Sequence, residues 1–311
     1  MKAIVINKFG GPEVIEYGDF KDPIPGTDQF LVDVKMVGVN YADTYQIENS
    51  YFYFMAASAP MVPGVEASFV MDNKNFVGFT ESGSYAEKAT VHKKKMFEVP
   101  DGISEEEALA ALSQGTTAYG LVNYACKIKR GDLVLINGAS SGLSIILIQL
   151  CKMIGAEVIA VTSSKKKIEF VKNLNVDFAC LNNFDEIEKL IASIGRKPDF
   201  IMDSYGGRSF MKYYNILSDQ GHICTYGASA REGLPPALKE TGSLKTASIF
   251  WGTKEFSDRD KLSQAVYYIF DLIKTKKIKI FVGDKMELKD AKAMHEKMRN
   301  RDTIGKNVLT V

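Results

Sequence analysis

From residue 133 onward the chain alternates short apolar runs with stretches of helical spacing. This alternation predicts parallel strands joined by covering helices, because parallel neighbours need a long crossover connection. We therefore expect an α/β fold with a doubly wound, parallel six-stranded sheet. The predicted strands are 133–137, 158–161, 178–181, 200–203, 222–226 and 247–250. The predicted helices between them are 145–154, 166–174, 185–194 and 208–217.

The first 115 residues have a different pattern, in which short β-like runs are separated by Gly, Pro and Asn turn residues. This part is predicted to be a mostly-β domain. The C-terminal tail holds two predicted helices, 261–274 and 289–299, around a short predicted strand at 278–282. With 311 residues the chain is long enough for two domains, each with its own core.

Charge and cysteine content exclude several functional classes. Lys and Arg number 39 against 38 for Asp and Glu, so no overall field would hold a nucleic acid or an anionic membrane. The longest apolar stretch, near 145–154, is shorter than the roughly 20 residues of a membrane span. The four cysteines show no CxxC or CxxH spacing, so no metal ion is expected. The N-terminal residues do not resemble a leader, which predicts a cytoplasmic protein with reduced thiols.

The segment LVLINGASSGLS has the order strand, small-residue turn and helix. Amides at the start of a helix near Leu143 would point at a dinucleotide pyrophosphate, where the helix dipole also favours negative charge. Small residues let the phosphates approach the main chain, and they are Ala139, Ser140, Ser141 and Gly142. Ser144 replaces the third glycine of the motif, which should slightly loosen strand-to-helix packing. An ordinary turn without a ligand is the alternative.

The end of the second predicted strand indicates which dinucleotide would bind. An Asp or Glu about 20 residues beyond the turn would bind the ribose hydroxyls of NAD. Residues 162–167 instead read TSSKKK, and hydroxyl and ammonium groups suit a 2′-phosphate. NADP(H) is therefore the predicted cofactor, with Ser163, Ser164 and Lys167 as its contacts. The alternative is a solvated basic helix start.

Several motifs occur in one colinear order: MKAIVINKFGGPEV, GVNYADTY, PGVE, GSYAE, TTAYGL, NGASSGLS, DSYGG, GHICTYG and TIGKNVL. Together they resemble the medium-chain dehydrogenase/reductase superfamily, in its zinc-free, zeta-crystallin-like quinone oxidoreductase branch. The resemblance implies a GroES-like catalytic domain formed by 1–118 and 254–311, a Rossmann domain at 119–253, and a homodimer. Between Val65 and Gly83 the chain is shorter than the family pattern.

Zinc-dependent relatives hold their catalytic ion with a Cys after a GV pair, a His in a GHE motif and a later Cys. The corresponding stretches here are Gly38–Asn40, Gly64–Glu66 and Gln114–Thr116, which contain no thiol and no imidazole. Without a Lewis acid, reduction of an already polarised acceptor is the expected chemistry. The resemblance thus implies hydride transfer from NADPH to a quinone or an α,β-unsaturated carbonyl.

The resemblance also implies the catalytic residues. Asn40 and Thr117 match positions that meet the nicotinamide and its ribose, and Asp43 is the acidic member of the same motif. Tyr45 and Tyr51 resemble tyrosines of the family's substrate cleft. In related 2-enoyl thioester reductases a tyrosine at the position of Tyr51 is the proposed proton donor, so that activity is an alternative. Packing is another role open to Tyr51.

Further cofactor contacts are implied on later strands and in the tail. They are Tyr205, Tyr226, Gly227, Phe250, Trp251 and Lys306. Trp251 could equally be a packing residue, and Lys306 a surface lysine at a strand end. The three histidines, His92, His222 and His295, are expected to be structural. A protein that binds NADPH without turnover, as a crystallin or a redox sensor, is the alternative of another class.

Overall fold

The computed structural model describes residues 1–50, 58–232, 244–250, 252 and 256–311. The chain divides into two compact units: unit 1 is Met1–Thr116 with Phe256–Val311, and unit 2 is Thr117–Glu255. Unit 1 is mostly β and unit 2 has a parallel sheet, which confirms the predicted fold class.

Strands of the described residues are numbered in chain order. They are β1 Lys2–Ile6, β2 Ile15–Asp19, β3 Gln29–Val39, β4 Glu66–Met71, β5 Lys74–Thr80, β6 Lys88–Glu98, β7 Leu133–Asn137, β8 Glu157–Thr162, β9 Phe178–Leu181, β10 Phe200–Asp203, β11 His222–Thr225, β12 Thr246–Ile249, β13 Val282–Glu287 and β14 Lys306–Thr310.

Helices are numbered in the same way. They are α1 Tyr41–Ile47, α2 Glu105–Ala110, α3 Thr116–Gly120, α4 Gly142–Ile154, α5 Lys165–Lys172, α6 Phe184–Ile194, α7 Ser209–Ile216, α8 Arg259–Lys274 and α9 Ala291–Arg299. Two π-helical turns, Ala111–Gly115 and Leu121–Ala125, flank α3. Among the described helices, none combines the length and apolar character that a membrane crossing requires.

Unit 1 contains a six-stranded sheet in the order β13-β14-β3-β4-β5-β6. The long strand β3 also pairs with β6, so the strands β3 to β6 close on themselves. The shortened segment after Val65 forms the β4–β5 hairpin, whose turn residues Asp72 and Asn73 both have positive φ. This is the backbone of a tight two-residue turn, which Asp and Asn tolerate well.

Unit 2 contains a six-stranded sheet in the order β12-β11-β10-β7-β8-β9, and every pairing in it is parallel. All five residues of β7 are buried, as expected for a central strand covered on both faces. The strand order reverses between β7 and its neighbour β10. In doubly wound folds, ligands bind outside the carboxyl ends of the strands at this reversal.

The predicted tail strand at 278–282 was wrong. The strand starts at Val282, where β13 pairs with Lys306 at the start of β14. Ile278 and Ile280 are 3% and 8% exposed. Their alternation therefore reflects burial in unit 1, whereas the ladder begins only where β14 is available as a partner.

Candidate active site

The turn after β7 is the first part of the candidate cofactor site. Gly138 has φ of +63°, and a Cβ built there would lie 2.7 Å from Ser204 Oγ. Both observations explain the glycine, because an L side chain would be strained and would displace its neighbour. The amide of Ala139 donates to the Val161 carbonyl at 3.0 Å. The turn is therefore fixed to the adjacent strand β8.

Ser141 ends this turn and caps α4. Its hydroxyl accepts a hydrogen bond from the Ser144 amide at 3.2 Å. Ser140 is buried, whereas Ser141 is exposed and Gly142 begins the helix. Four of the predicted pyrophosphate contacts, Ser140 to Leu143, thus lie between the parallel strand β7 and the first turn of α4. This is the geometry that favours an anion.

A buried hydrogen-bond network joins the carboxyl ends of three neighbouring strands. Asn137 Nδ2 donates to Asp203 Oδ1 at 2.6 Å, and Thr225 Oγ1 donates to Asp203 Oδ2 at 3.1 Å. The Asn137 side-chain oxygen accepts from the amide of Ser204 at 2.6 Å. Burial raises the pKa of the Asp203 carboxyl, against these hydrogen bonds, which lower it. The network sets the spacing of β7, β10 and β11 where the strand order reverses.

Ser144, the departure from the glycine motif, is fully buried and bonded. Its hydroxyl lies 2.9 Å from Ser141 Oγ and 3.2 Å from the hydroxyl of Tyr226. Tyr226 directly follows β11, and the backbone of Gly227 lies so close to Ser204 that a Cβ would be 2.7 Å from its carbonyl oxygen. The predicted residues Tyr226 and Gly227 therefore lie beside the turn.

Two other predicted residues are packed into unit 2. Phe250 is 8% exposed, and a Cβ at Gly120 would lie 2.3 Å from its ring, so the ring rests against the α3 backbone. Tyr205 is 7% exposed, and its amide donates to Asp203. Thr117 is half-buried on α3. Trp251 lies outside the described residues.

The end of β8 carries the predicted 2′-phosphate contacts. Ser163 is exposed, and Ser164 caps α5 by accepting from the Lys167 amide at 3.4 Å. Lys167 is half-buried in the first turn of that helix. The sequence places no carboxylate between residues 162 and 168. This end of β8 is thus polar and basic. It lies beside the turn after β7, which the hydrogen bond from Ala139 to Val161 fixes to β8.

In unit 1, Asn40 belongs to a buried network with Glu66 and Lys306. The Asn40 amide nitrogen donates to Glu66 Oε1 at 2.8 Å, and the Lys306 ammonium donates to Asn40 Oδ1 at 3.2 Å and to Glu66 Oε1. Both charged side chains are 0% exposed. The second Glu66 oxygen accepts from the Ser113 amide at 3.0 Å. Lys306 is therefore a fully buried ion-pair partner in unit 1.

Asp43 belongs to a second buried group. Its Oδ2 accepts from the Asn40 amide at 2.8 Å and from the Tyr85 hydroxyl at 2.9 Å. The same hydroxyl lies 3.1 Å from His295 Nε2, and Thr44 Oγ1 lies 3.3 Å from His295 Nδ1. Asp43, Tyr85 and His295 thus form a chain with the tyrosine in the middle.

Burial dominates the electrostatics of this chain. It raises the pKa of Asp43 to about 7, against hydrogen bonds from Asn40 and Tyr85 that favour the carboxylate. It lowers the pKa of His295 to about 4 and raises that of Tyr85 well above its ordinary value. Asp43 Oδ1 is buried and unpartnered among the described atoms. A neutral imidazole and a carboxyl that titrates near neutrality therefore share one hydroxyl.

The remaining predicted catalytic residues are the two tyrosines. Tyr45 is 7% exposed on α1, with its ring 5.4 Å from that of Tyr41 in an edge-to-face contact. Tyr51 lies outside the described residues. The structure thus brings Asn40, Asp43 and Tyr45 together at the start of one short helix.

Comparison with known proteins shows what this chain is similar to. Residues 142–265 match the family described as zinc-binding dehydrogenase. A 2-haloacrylate reductase from Burkholderia sp is 27% identical over 99% of this chain and 98% of its own length. Quinone oxidoreductase 1 from Escherichia coli K12 is 28% identical over 98% of each chain. The E. coli quinone oxidoreductase complexed with NADPH matches with a TM-score of 0.91, at 25% identity and over the whole of both chains.

The chain is thus similar, over almost its whole length, to quinone oxidoreductases, the branch of the medium-chain dehydrogenase/reductase superfamily that its motifs resemble. Within this superfamily a catalytic zinc is the feature to test, since the matched family is described as zinc-binding. The three stretches that would supply zinc ligands hold no thiol and no imidazole. The one carboxylate among them, Glu66, already binds the Lys306 ammonium. The Lys306 ammonium thus already neutralises Glu66, the one anionic side chain in these three stretches, so they do not fit zinc.

Sequence reasoning missed two parts of the candidate site. It expected His295 to be structural but identified no partner for it, and the ring is 2% exposed and hydrogen-bonded in the Asp43 group. It quoted GSYAE and PGVE as motifs without assigning a role to Tyr85 or Glu66. Asp43, Tyr85 and His295 are far apart in the sequence, and only the fold brings them together.

Proposed function

We propose that this chain is an NADPH-dependent, zinc-independent oxidoreductase that reduces a quinone or an α,β-unsaturated carbonyl compound. The observation that carries the proposal is the β7–α4 turn at the strand-order reversal, beside a polar, basic end of β8. The names of the relatives agree with it, since they describe reductases of quinones and of a 2-haloacrylate.

The residues of unit 2 fit a dinucleotide. Gly138 leaves no Cβ in the turn, and the helix that begins at Gly142 presents its positive end. We assign Ser140, Ser141, Gly142 and Leu143 to the pyrophosphate. Ala139 contributes a small side chain, because its amide is already bonded to Val161.

Selectivity for NADPH follows from the end of β8. Ser163 and Ser164 offer hydroxyls, and Lys167 offers a charge-assisted hydrogen bond to a 2′-phosphate. A carboxylate, which would repel that phosphate, is missing from the sequence at 162–168. The same phosphate is absent from NADH, so the two cofactors should differ in affinity.

The bound cofactor would supply a hydride, and the protein must orient the acceptor and stabilise developing negative charge on its oxygen. In unit 1, Lys306 and Glu66 hold both ends of the Asn40 amide, so this group has a fixed orientation. We propose Asn40 and Thr117 as nicotinamide-side contacts, on the resemblance. Asp43 is a positioning residue in this proposal, because its carboxylate accepts a hydrogen bond from the backbone N–H of Asn40 and is fully buried.

The remaining roles are proposed on the same resemblance. Tyr45 and Tyr51 are substrate-side tyrosines, and Tyr205, Tyr226, Gly227, Phe250 and Trp251 belong to the cofactor side. Lys306 acts through Asn40 and Glu66. A homodimer and a cytoplasmic location complete the proposal.

A binding titration tests the cofactor assignment. We expect NADPH to bind more tightly than NADH, and Lys167→Ala to weaken NADPH binding by about 5- to 150-fold, the equivalent of about 1 to 3 kcal/mol for a charge-assisted contact. Binding of NADH should stay nearly unchanged. Lys172→Ala is the matched control, since Lys172 lies on the same helix and pairs with Glu169. Equal affinities for NADPH and NADH would contradict the assignment.

A turnover assay tests the reaction itself. Purified protein in the presence of a metal chelator should oxidise NADPH with a small quinone or an enone. Crotonyl-type thioesters belong in the same panel, with Tyr51→Phe as the variant that tests a tyrosine proton donor. NADPH binding without turnover of any acceptor would favour a non-catalytic protein.

A further inference from the structure

Three side chains with metal-binding atoms meet inside unit 2, apart from the residues assigned above. The sulfurs of Cys126 and Cys224 and a ring nitrogen of His222 all lie within 4.8 Å of one another. His222 and Cys224 are two residues apart on β11, so they lie on the same face of the sheet. Cys126 directly follows the π-helical turn Leu121–Ala125. The cluster therefore joins a strand to a segment almost one hundred residues earlier in the chain.

A fourth soft atom lies beside the cluster. Met202 on β10 is the register partner of Cys224, and its Sδ is 3.7 Å from Cys126 Sγ. Thiolate and thioether sulfur with imidazole nitrogen are the ligands that soft cations such as Zn²⁺ and Cu⁺ prefer. Hard cations such as Mg²⁺ and Ca²⁺ prefer oxygen ligands. The donor set thus points to a thiophilic ion.

The surroundings of the histidine are those of an oriented ligand. Its Nδ1 lies 2.7 Å from Thr246 Oγ1, and its Nε2 lies 2.8 Å from Ser248 Oγ. When one ring nitrogen binds a metal, the other usually keeps such a partner, which fixes the ring. Both cysteines are buried, whereas His222 is half-buried, so the histidine side offers a route for an ion. When an ion binds one ring nitrogen of His222, that nitrogen would lose its contact with the hydroxyl of Thr246 or Ser248.

We propose that Cys126, His222 and Cys224 form a binding site for one soft d¹⁰ cation, Zn²⁺ or Cu⁺. With Zn–S near 2.3 Å and Zn–N near 2.0 Å, a tetrahedral site needs S···S of about 3.8 Å and S···N of about 3.5 Å. The three atoms lie within 4.8 Å of one another, at most about 1.3 Å beyond these separations, so the side chains would move together on binding the ion. Binding of Zn²⁺ would release two thiol protons and give an electrically neutral centre, which suits a buried site. Water or the Met202 sulfur would complete the coordination.

The inferred role of this ion is structural. It would connect β11 to the segment that follows Ala125, and β11 leads directly to Tyr226 at the cofactor turn. The site would then stabilise unit 2 without taking part in hydride transfer. Thermal stability is therefore a readout that does not depend on the proposed enzymatic activity.

Metal titration of the full-length, reduced and metal-stripped protein tests the site. Competition with a chromophoric chelator for Zn²⁺, and separately with a Cu⁺ chelator, distinguishes the two ions. We expect one equivalent of at least one ion to bind, an increase in the melting temperature, and thiolate charge-transfer absorption with Co²⁺ as a probe. Cys126→Ser, Cys224→Ser and His222→Gln should each weaken binding at least tenfold. Cys151→Ser and Cys180→Ser are matched controls, because they remove buried thiols elsewhere in unit 2.

Alkylation of the wild-type protein gives a test that needs no variant. Under partial denaturation, the bound ion should protect Cys126 and Cys224 from iodoacetamide and leave Cys151 and Cys180 unprotected, as read by mass spectrometry. Protection of a different pair would overturn the proposal. So would a lack of binding to reduced wild-type protein, or binding that survives loss of both Cys126 and Cys224 in a folded double variant.

Discussion

Relative to wild type, replacing Asp43 with asparagine should make the protein more stable as pH rises. Replacing His295 with glutamine should make it less stable as pH rises. The two side chains share the Tyr85 hydroxyl, at 2.9 Å and 3.1 Å. Folding shifts both from their ordinary pKa values, that of Asp43 from 3.8 to about 7 and that of His295 from 6.5 to about 4. Each shift couples proton binding to folding.

The sign for Asp43 follows from its raised pKa. Between pH 4 and pH 7 the folded protein keeps a proton that the unfolded chain has lost, so stability falls as pH rises through this range. A shift of about three pKa units corresponds to about 4 kcal/mol. In Asp43→Asn this loss disappears. The variant's free energy of unfolding, relative to wild type, should therefore rise by up to about 4 kcal/mol from pH 4 to pH 7.

The sign for His295 is opposite because its pKa is lowered. Between pH 4 and pH 6.5 the unfolded chain binds a proton that the folded protein does not, so stability rises with pH. The shift corresponds to about 3 kcal/mol. In His295→Gln this gain disappears, and stability relative to wild type should fall by up to about 3 kcal/mol over the same range. In wild type the two effects largely cancel.

Urea unfolding at several pH values from 4.5 to 7, followed by circular dichroism, measures both difference profiles. Asp101→Asn and His92→Gln are controls, since Asp101 is exposed and His92 half-buried on the surface of unit 1. Flat profiles for Asp43→Asn and His295→Gln, or two profiles of the same sign, would refute the assignment of a buried carboxyl and a buried neutral imidazole to this group.

Other predictions concern the turn and the buried ion pair. Gly138→Ala should lower the melting temperature and weaken NADPH binding more than Gly195→Ala, because both glycines have positive φ but only Gly138 has a neighbour, Ser204, within 4 Å; equal effects would contradict the close approach. Lys306→Met should cost about 3 to 5 kcal/mol of unfolding free energy, since it leaves the buried Glu66 carboxyl without its ion-pair partner. Combining it with Glu66→Gln should recover part of this loss in a urea titration, and strictly additive costs would argue against the pair.

Local sequence patterns predicted unit 2 well, for a physical reason. A parallel strand buried on both faces is a continuous apolar run, and a turn must follow it before the covering helix starts. The runs at 133–137, 178–181 and 200–203 coincide with β7, β9 and β10. Helical spacing alone placed the start of α4 at residue 145, three residues late, because Gly142 and Ser144 have weak helix propensity. The small-residue turn placed it near Leu143, and the Ser141 cap sets it at Gly142.

The unit 1 network could not be predicted in the same way. Lys306 and Glu66 are 240 residues apart, and each looks like an ordinary charged residue in its own segment. The pairing depends on β14 lying antiparallel to β3, which places Lys306 beside Val39 and Asn40. A lysine at a strand end thus resembled a surface residue or a cofactor contact, whereas the fold buries it completely.

The cysteine cluster shows why spacing rules fail for such sites. They search for ligands within one loop or helix, where a few residues separate them. Here β11 supplies two ligands at positions i and i+2, a spacing that also occurs in any strand, and the third comes from a segment brought over the sheet by the fold. A site built across secondary-structure elements has no local signature. The same reasoning applies to Asp43, Tyr85 and His295, whose chemistry arises from burial that no single segment encodes.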